Sequence, residues 1–495
     1  MKKSEIPTNA SSSVHTFKQS LNLFDSTAIV AGSMIGSGIF IVSADMSRTL
    51  GSPGWLMMAW IITGLLTIIG ALSYGELAVM MPHAGGKYVY LREAYNPLAG
   101  FLYGWTLFLV IQTGTIAAVA MAFAKFLGVL VPWFSEQHIW LNLGFVKLST
   151  VHLGAIGVIA FLTWVNTRGI SAGKYVQNVF SYTKIGTLAI FIAIGLIVAK
   201  NTGAVQFNSK IFWDAVQIQG NGSVVPLAGF ALIAALGTSL VGAFFSSDAW
   251  YDITFASGEV KNPKRTIPMS MVLGVTIVIT IYLLVNVVYL MILPLRGTPD
   301  GATVMAQGIQ FATNDRLGTA AMTGIFGNSA ALIMAVLVMV STFGCVNGLV
   351  LAGARVYYAM ANDGLFFKKV GVLNKRQVPA SGLIVQGIWA GVLCLTGTYS
   401  NLLDYVIFAA LIFFAATVSS IFILRKKRPD ADRPYKAFGY PVIPALYVLA
   451  CGFIMFTLLV YKPKYTWPGL FIVLLGIPVY YVWRKYKAFG DRKPF

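Results

Sequence analysis

The sequence has 495 residues, of which 57% are hydrophobic and 11% are charged, and its formal net charge is +19. A soluble protein of this length has about 25% charged residues, so this composition excludes the soluble, disordered and disulfide-scaffold classes. It predicts an all-α polytopic membrane protein. The excess positive charge lies in short loops, which is typical of a signal for orientation and not of a nucleic-acid surface.

The chain begins with a polar segment and continues into twelve apolar runs. Residues 1–20 contain no cleavable signal sequence, so we expect a cytosolic tail. A helix needs about 20 apolar residues to cross the hydrocarbon core of a bilayer. The predicted spans are 23–45, 54–80, 98–131, 151–166, 177–199, 227–254, 269–294, 327–360, 381–398, 402–424, 442–461 and 466–483. The third and eighth are too long for a perpendicular helix and must tilt or extend beyond the bilayer.

The distribution of basic residues predicts the orientation. Lysine and arginine favour the loops on the side of the N-terminus by about three to one, and cytosolic loops carry such an excess. Both chain ends, including the tail formed by residues 485–495, are therefore expected in the cytosol. We expect a multi-pass protein of the cell membrane.

Two spans are interrupted at corresponding positions. The first carries three glycines and two serines within residues 32–38, and the sixth places Ser246, Ser247 and Asp248 in mid-membrane. The two spans correspond if residues 21–200 and 225–425 form two five-helix repeats, the second inverted because five is odd, followed by spans eleven and twelve in residues 426–484. Paired interruptions of this kind mark the substrate site of a transporter. For the first interruption alone, close helix packing is the alternative.

Unwound helices offer backbone groups to a ligand. Free amides near residues 35–38 suit a carboxylate, and carbonyls near residues 33–35 and 244–246 suit an ammonium group. An α-amino acid carries both groups. The predicted substrate-binding residues are Ser33, Ile35, Gly36, Ser37, Gly38, Ile39, Phe244, Phe245, Ser246, Ser247 and Asp248. Gln112 of the third span is a further candidate, for which hydrogen bonding between helices is an equal alternative.

Several ordered motifs resemble those of the amino acid–polyamine–organocation superfamily, in particular the L-type amino acid transporters and their prokaryotic relatives. They are GSMIGSGIF (32–40), LSYGEL (72–77), PHAGGKYVY (82–90), GEVKNPKR (258–265) and STFGCVNG (341–348). The resemblance covers about residues 20–425. It implies the inverted five-plus-five helix repeat shared with sodium-coupled amino-acid carriers, plus two C-terminal helices, and transport of amino acids without sodium.

The resemblance also implies roles for single residues. Lys184 lies in the fifth span, where a buried ammonium group is costly and marks function. In the family, a lysine at this position replaces a sodium ion and contacts the first break and a hydroxyl of the eighth span, for which Ser341 and Thr342 are the candidates. Phe245 is implied to close over the substrate as an outer gate. Relatives often carry a second aromatic residue where Ser247 stands, which leaves the side-chain preference and the role of Asp248 open.

Charged residues near the cytosolic ends of the spans predict an inner gate. We expect Glu76 and Glu259 to form ion pairs with Arg355 or Arg265. Residues 132–149, where eukaryotic relatives carry the cysteine that binds a glycoprotein partner, contain no cysteine. We therefore expect a stand-alone carrier without a disulfide-linked heavy chain.

Other classes of protein lack support in the sequence. The four histidines lie in the tail, in loops or at a span edge, and no metal-ligand spacing, nucleophile elbow or phosphate-binding loop is present, so we expect no enzyme, metal or cofactor. No charged ring or repeated filter predicts a channel. The predicted function is sodium-independent exchange of neutral L-amino acids by alternating access. Proton-coupled symport of amino acids or polyamines stays open as an alternative.

Overall fold

The computed structural model describes residues 21–82, 85–142, 147–168, 170–198, 203–218, 224–376, 378–396 and 399–490. The predicted tail of residues 1–20 and the last five residues of the C-terminal tail lie outside this part of the chain. Within it, ten helices are long and apolar enough to cross a membrane. The remaining two of the twelve predicted spans are shorter: the first is divided into two half-helices, and the ninth is a helix of 15 residues.

We number the spans in chain order. Span 1 consists of two half-helices, Leu23–Met34 and Val42–Leu50, with the 3-10 turn Gly38–Phe40 between them. Span 6 is the helix Gly229–Ser246, which is followed after a break by the 3-10 helix Asp252–Glu259. The other spans are Pro53–Met80 (2), Pro97–Leu130 (3), Thr150–Thr167 (4), Ile170–Val198 (5), Pro263–Ile292 (7), Asn328–Asn362 (8), Ala380–Cys394 (9), Tyr399–Lys427 (10), Val442–Tyr461 (11) and Pro463–Gly490 (12).

Short elements connect the spans. They are the helices Lys87–Ala94, Gly203–Lys210, Val304–Gln307 and Leu317–Phe326, the 3-10 helices Thr313–Asp315 and Lys368–Gly371, and two antiparallel strand pairs, Ile139–Asn142 with Lys147–Ser149 and Val216–Ile218 with Val224–Pro226. Span 3 also contains a π-helical segment, Leu107–Ile111.

Polar caps fix where several spans begin. The side chain of Asn22 accepts a hydrogen bond from the Asp25 amide, and the Asp25 carboxylate accepts one from the Asn22 amide, which starts span 1 with a capping box. Ser52 and Asn96 cap spans 2 and 3, and each is followed by a proline at the first helical position. Spans 5 and 12 extend beyond the predicted apolar runs 177–199 and 466–483, because a helix continues past the hydrocarbon wherever its backbone bonds are satisfied.

The packing of the spans follows the division into two groups of five. Span 1 contacts span 6, span 2 contacts span 7, span 3 contacts span 8 and span 4 contacts span 9. Each of the first four spans thus lies against the span five positions later, which is compatible with two related repeats. The exact boundaries 21–200 and 225–425 stay a prediction.

A buried ion pair joins span 2 to the end of span 10 and the loop that follows it. The Glu76 side chain is fully buried, and its two carboxylate oxygens accept hydrogen bonds from Arg425 at 2.9 and 2.7 Å. Arg433 lies 3.5 Å away, and the Ala437 amide donates at 2.7 Å. The expected pairing of Glu76 with Arg355 or Arg265 is therefore wrong. Its partners lie in the last turn of span 10 and in the basic loop after it, some 350 residues further along the chain, and no local pattern connects them with Glu76.

Glu76→Ala is expected to lower the free energy of unfolding by about 3 kcal/mol, because it leaves two arginines without their buried counter-charge. The thermal unfolding midpoint of the purified protein in detergent measures this loss. The matched control is Glu93→Ala, whose carboxylate forms a more exposed pair with Arg428 and should cost at most about 1 kcal/mol. Equal midpoints for the two variants would contradict the assignment.

Candidate functional site

The break in span 1 leaves backbone amides available to a ligand. The first half-helix ends at Met34, and Ile35 is extended, with φ −74° and ψ 97°. Helical turns resume at Gly38. Among the described residues, no backbone carbonyl accepts from the amides of residues 36–39. Such a run of free amides at the start of a helical segment suits a carboxylate or another anion.

The break in span 6 is tighter. The Ser247 amide donates to the carbonyls of Ala243 and Phe244 at 3.0 and 3.1 Å, and the Asp248 amide donates to that of Phe245 at 3.3 Å. Ala249 then has a φ of 67°, which turns the chain before the 3-10 helix begins. The carbonyls of Phe244 and Phe245 thus already accept one hydrogen bond each, and a ligand would use their second lone pair.

The two breaks lie against each other. A Cβ atom on Gly38 would lie 2.0 Å from the Ser246 hydroxyl oxygen and 2.8 Å from the Ser246 Cα, so only glycine allows this approach. The Tyr282 hydroxyl lies 3.1 Å from the carbonyl oxygen of Met34 and 3.0 Å from that of Ser246. Free amides of span 1 and carbonyls of both breaks therefore lie close together, an arrangement that suits the anionic and cationic groups of a single ligand.

Lys184 lies at the same break. Its side chain is buried, and its ammonium group donates to the carbonyl of Gly32 at 3.0 Å, at the end of the first half-helix. Of the two candidate hydroxyls in span 8, that of Ser341 donates to the Gly36 carbonyl at 3.5 Å. The Thr342 hydroxyl donates to carbonyls of its own helix. Ser341 is thus the candidate whose hydroxyl reaches the break.

Two other predicted residues have contacts that help to define the site. Gln112 donates from Nε2 to the Leu349 carbonyl of span 8 at 2.7 Å, which favours the alternative of hydrogen bonding between helices. Phe245 is buried and packs edge-on against Tyr399, with ring centroids 5.9 Å apart. The Tyr399 hydroxyl lies 3.0 Å from the Ser37 hydroxyl, so Tyr399 joins the two breaks.

Two residues of the site, Tyr282 and Tyr399, were not predicted from the sequence. Both are among 22 tyrosines, and neither lies in a motif that sets it apart from the others. Their role comes from tertiary packing, because each touches residues of span 1 from a helix far along the chain.

Contacts on the side of the chain ends close the bundle below the breaks. Glu259 and Arg355 form an ion pair at 2.9 Å, as expected for these two residues. The Leu21 amide donates to the Glu259 carbonyl at 3.0 Å, and the Lys261 amide donates to the Leu21 carbonyl at 2.8 Å. The start of span 1 is thus hydrogen-bonded to the segment that follows span 6.

A helical bundle of this kind, with two helix breaks facing each other, is the architecture of a secondary transporter. The chain matches the family model described as amino acid permease over residues 21–482, and it belongs to that family, within the amino acid–polyamine–organocation superfamily. The family resemblance and the exclusion of an enzyme are confirmed, and the chain is a multi-pass membrane protein.

Characterised relatives are similar over nearly the whole chain. The b(0,+)-type amino acid transporter 1 of Mus musculus is 28% identical over 476 residues, which cover 95% of this chain and 89% of the relative. The large neutral amino acids transporter small subunit 2 of Homo sapiens is 30% identical over 484 residues, which cover 96% and 83%. Both relatives are amino acid transporters.

Proposed function

We propose that this protein exchanges neutral L-amino acids across the cell membrane without sodium, by alternating access. The observation that carries the proposal is the contact between the two helix breaks. The amides of residues 36–39 would hold the α-carboxylate, and the carbonyls near Met34 and Ser246 would hold the α-ammonium. Membership of the amino acid permease family supports amino acids as the substrates.

The position of Lys184 supports transport without sodium. In sodium-coupled carriers with broken helices, the carbonyls at the end of a half-helix coordinate the sodium ion. Here the ammonium group of Lys184 donates to such a carbonyl, that of Gly32. A charge fixed to the protein would thus hold the break together in place of a mobile ion.

In this mechanism, different contacts close the bundle on the two sides of the membrane. With both chain ends in the cytosol, the Glu259–Arg355 pair lies on the cytosolic side, as would the buried Glu76 cluster, and Phe245 with Tyr399 closes the outer side. Cys345, Cys394 and Cys451 are all buried. A stand-alone carrier without a disulfide-linked partner is consistent with this burial.

Uptake into liposomes that contain the purified protein tests the proposal. A panel of the twenty radiolabelled amino acids is offered with and without sodium, with and without a pH gradient, and with and without internal amino acid. We expect neutral amino acids to enter only those liposomes that contain internal amino acid, and to enter equally well in sodium and choline buffers. Uptake that requires sodium would contradict the proposal. Accumulation driven by a pH gradient into empty liposomes would favour the proton-coupled alternative.

Tyr282→Phe is expected to weaken binding of a neutral substrate about tenfold. The variant removes the hydroxyl between the Met34 and Ser246 carbonyls and leaves the ring in place. Substrate-dependent protection against thermal unfolding measures the dissociation constant. Tyr481→Phe, at an exposed tyrosine of span 12, is the matched control and should bind as the wild type does. Equal affinity in the two variants would remove Tyr282 from the site.

A further inference from the structure

A buried lysine lies next to the break of span 6, outside the contacts considered so far. Lys87 begins the short helix in the loop between spans 2 and 3, and it is only 1% exposed. Gly86, just before it, has a φ of 46°, and a Cβ there would lie 2.5 Å from the Thr254 hydroxyl oxygen. The glycine therefore lets this loop press against the segment that follows span 6.

Aromatic rings surround the ammonium group of Lys87. Its Nζ lies 3.1 Å from the ring centroid of Tyr251 and 4.0 Å from that of Phe414, and the centroids of Tyr74 and Tyr103 are each 5.8 Å away. We call these four rings the aromatic cage. Ring faces attract a cation, most strongly where water is excluded. The cage is thus built to hold a positively charged group.

Acidic and unpaired polar atoms adjoin the cage. Asp248 and Asp252 are buried and interact electrostatically with Lys87. Among the described residues, Oδ1 of Asp248 and the hydroxyl groups of Ser247 and Tyr103 are buried without a hydrogen-bond partner. A buried polar atom without a hydrogen-bond partner destabilises the folded protein. These atoms are therefore available to a polar group of a ligand.

We propose that the aromatic cage recognises an ammonium or guanidinium group, and that Lys87 fills it so that amino acids with cationic side chains are rejected. The inference rests on the proposed amino-acid exchange and adds a determinant of its side-chain selectivity. Asp248 follows Ser246 by two residues, which span at most about 7 Å. A bound lysine or arginine side chain can cover that distance from the breaks. It would then meet the Lys87 ammonium, and two like charges at close range cost several kcal/mol.

Selectivity of exchange tests this role of Lys87. Purified wild type and Lys87→Met are reconstituted into liposomes loaded with L-leucine, and uptake of labelled L-lysine is divided by uptake of labelled L-leucine. Burial lowers the pKa of Lys87, against the effect of Asp248 and Asp252, so the assay is run at mildly acidic pH, which favours the protonated lysine. Lys264→Met, at an exposed lysine in the first turn of span 7, is the matched control.

We expect the wild type and Lys264→Met to discriminate against L-lysine, and Lys87→Met to raise the uptake ratio about tenfold or more. Adding Asp248→Asn to Lys87→Met should remove that gain, since the incoming cation loses its carboxylate. A wild type that takes up L-lysine as readily as L-leucine overturns the proposal, as does an unchanged ratio in Lys87→Met. Lys87→Gln repeats the measurement if Lys87→Met does not fold. A wild type that transports no neutral amino acid refutes the proposed function instead.

Occupancy of the cage is also measurable without transport. Lys87→Ala leaves the rings and carboxylates in place and removes the ammonium group. We expect n-butylammonium to raise the thermal unfolding midpoint of purified Lys87→Ala in detergent. 1-Butanol should not raise the midpoint of this variant, and n-butylammonium should not raise that of the wild type. Equal effects of the amine and the alcohol would show that the rings do not select a cation, which overturns the first half of the proposal whatever the liposomes show.

Discussion

Lys184→Ala is expected to reduce exchange about 30-fold while substrate binding is kept. The variant removes the ammonium group that donates to the Gly32 carbonyl, and a buried hydrogen bond to a charged group contributes about 1.5–3 kcal/mol. Span 5 then no longer holds the end of the first half-helix, so conformational change suffers more than binding does. Exchange in liposomes and substrate-dependent thermal protection in detergent measure the two effects separately.

A second buried lysine provides the control for Lys184. Lys125 of span 3 is also buried, but its ammonium group pairs with Glu136 at 3.1 Å. Lys125→Ala should therefore leave the exchange rate within about twofold of the wild type, since a partly exposed pair contributes little. If Lys184→Ala exchanges as fast as Lys125→Ala, the ammonium group has no coupling role.

Gly38→Ala is expected to reduce exchange about 100-fold, because the added methyl group has no room between the two breaks. Its Cβ would lie 2.8 Å from the Ser246 Cα, a backbone atom that cannot rotate away. Overpacking of this kind costs about 1–3 kcal/mol and forces the backbone apart. The free amides then lie further from the Ser246 carbonyl, so both the substrate affinity and the exchange rate are reduced.

The control for Gly38 is a glycine with space around it. A Cβ on Gly186 of span 5 would meet no atom within 4 Å, and alanine favours a helix over glycine. Gly186→Ala should exchange at the wild-type rate and unfold at the same temperature or higher. Normal exchange by Gly38→Ala would show that the breaks are not in contact during transport.

The fold was largely predictable, since hydropathy and helix length depend on the local sequence. Spans 2, 3, 8 and 11 begin and end within two residues of the predicted limits, because the ends of each apolar run are visible in the local sequence. The two helix breaks were also predictable, since glycines, serines and an aspartate in mid-membrane are costly unless the helix is interrupted.

The partners of charged and polar residues were harder to predict. Glu76 was expected to pair with other arginines, and basic residues in loops, of which Lys87 is one, were expected only to orient the chain. In both cases the deciding contacts come from helices far apart in the sequence. Charge in a loop is usually solvated, and nothing local distinguishes a loop lysine that folds back into the bundle.

The backbone bonds between Leu21 and residues 259–261 restrict how the bundle can rearrange. The first half-helix of span 1 is held at its start by those bonds and near its end by the Tyr282 hydroxyl, which also meets Ser246. The half-helix is therefore linked to span 6 and the segment after it by hydrogen bonds at both of its ends. A movement of one part either carries the other with it or breaks one of these contacts, so we expect the two broken helices to move together.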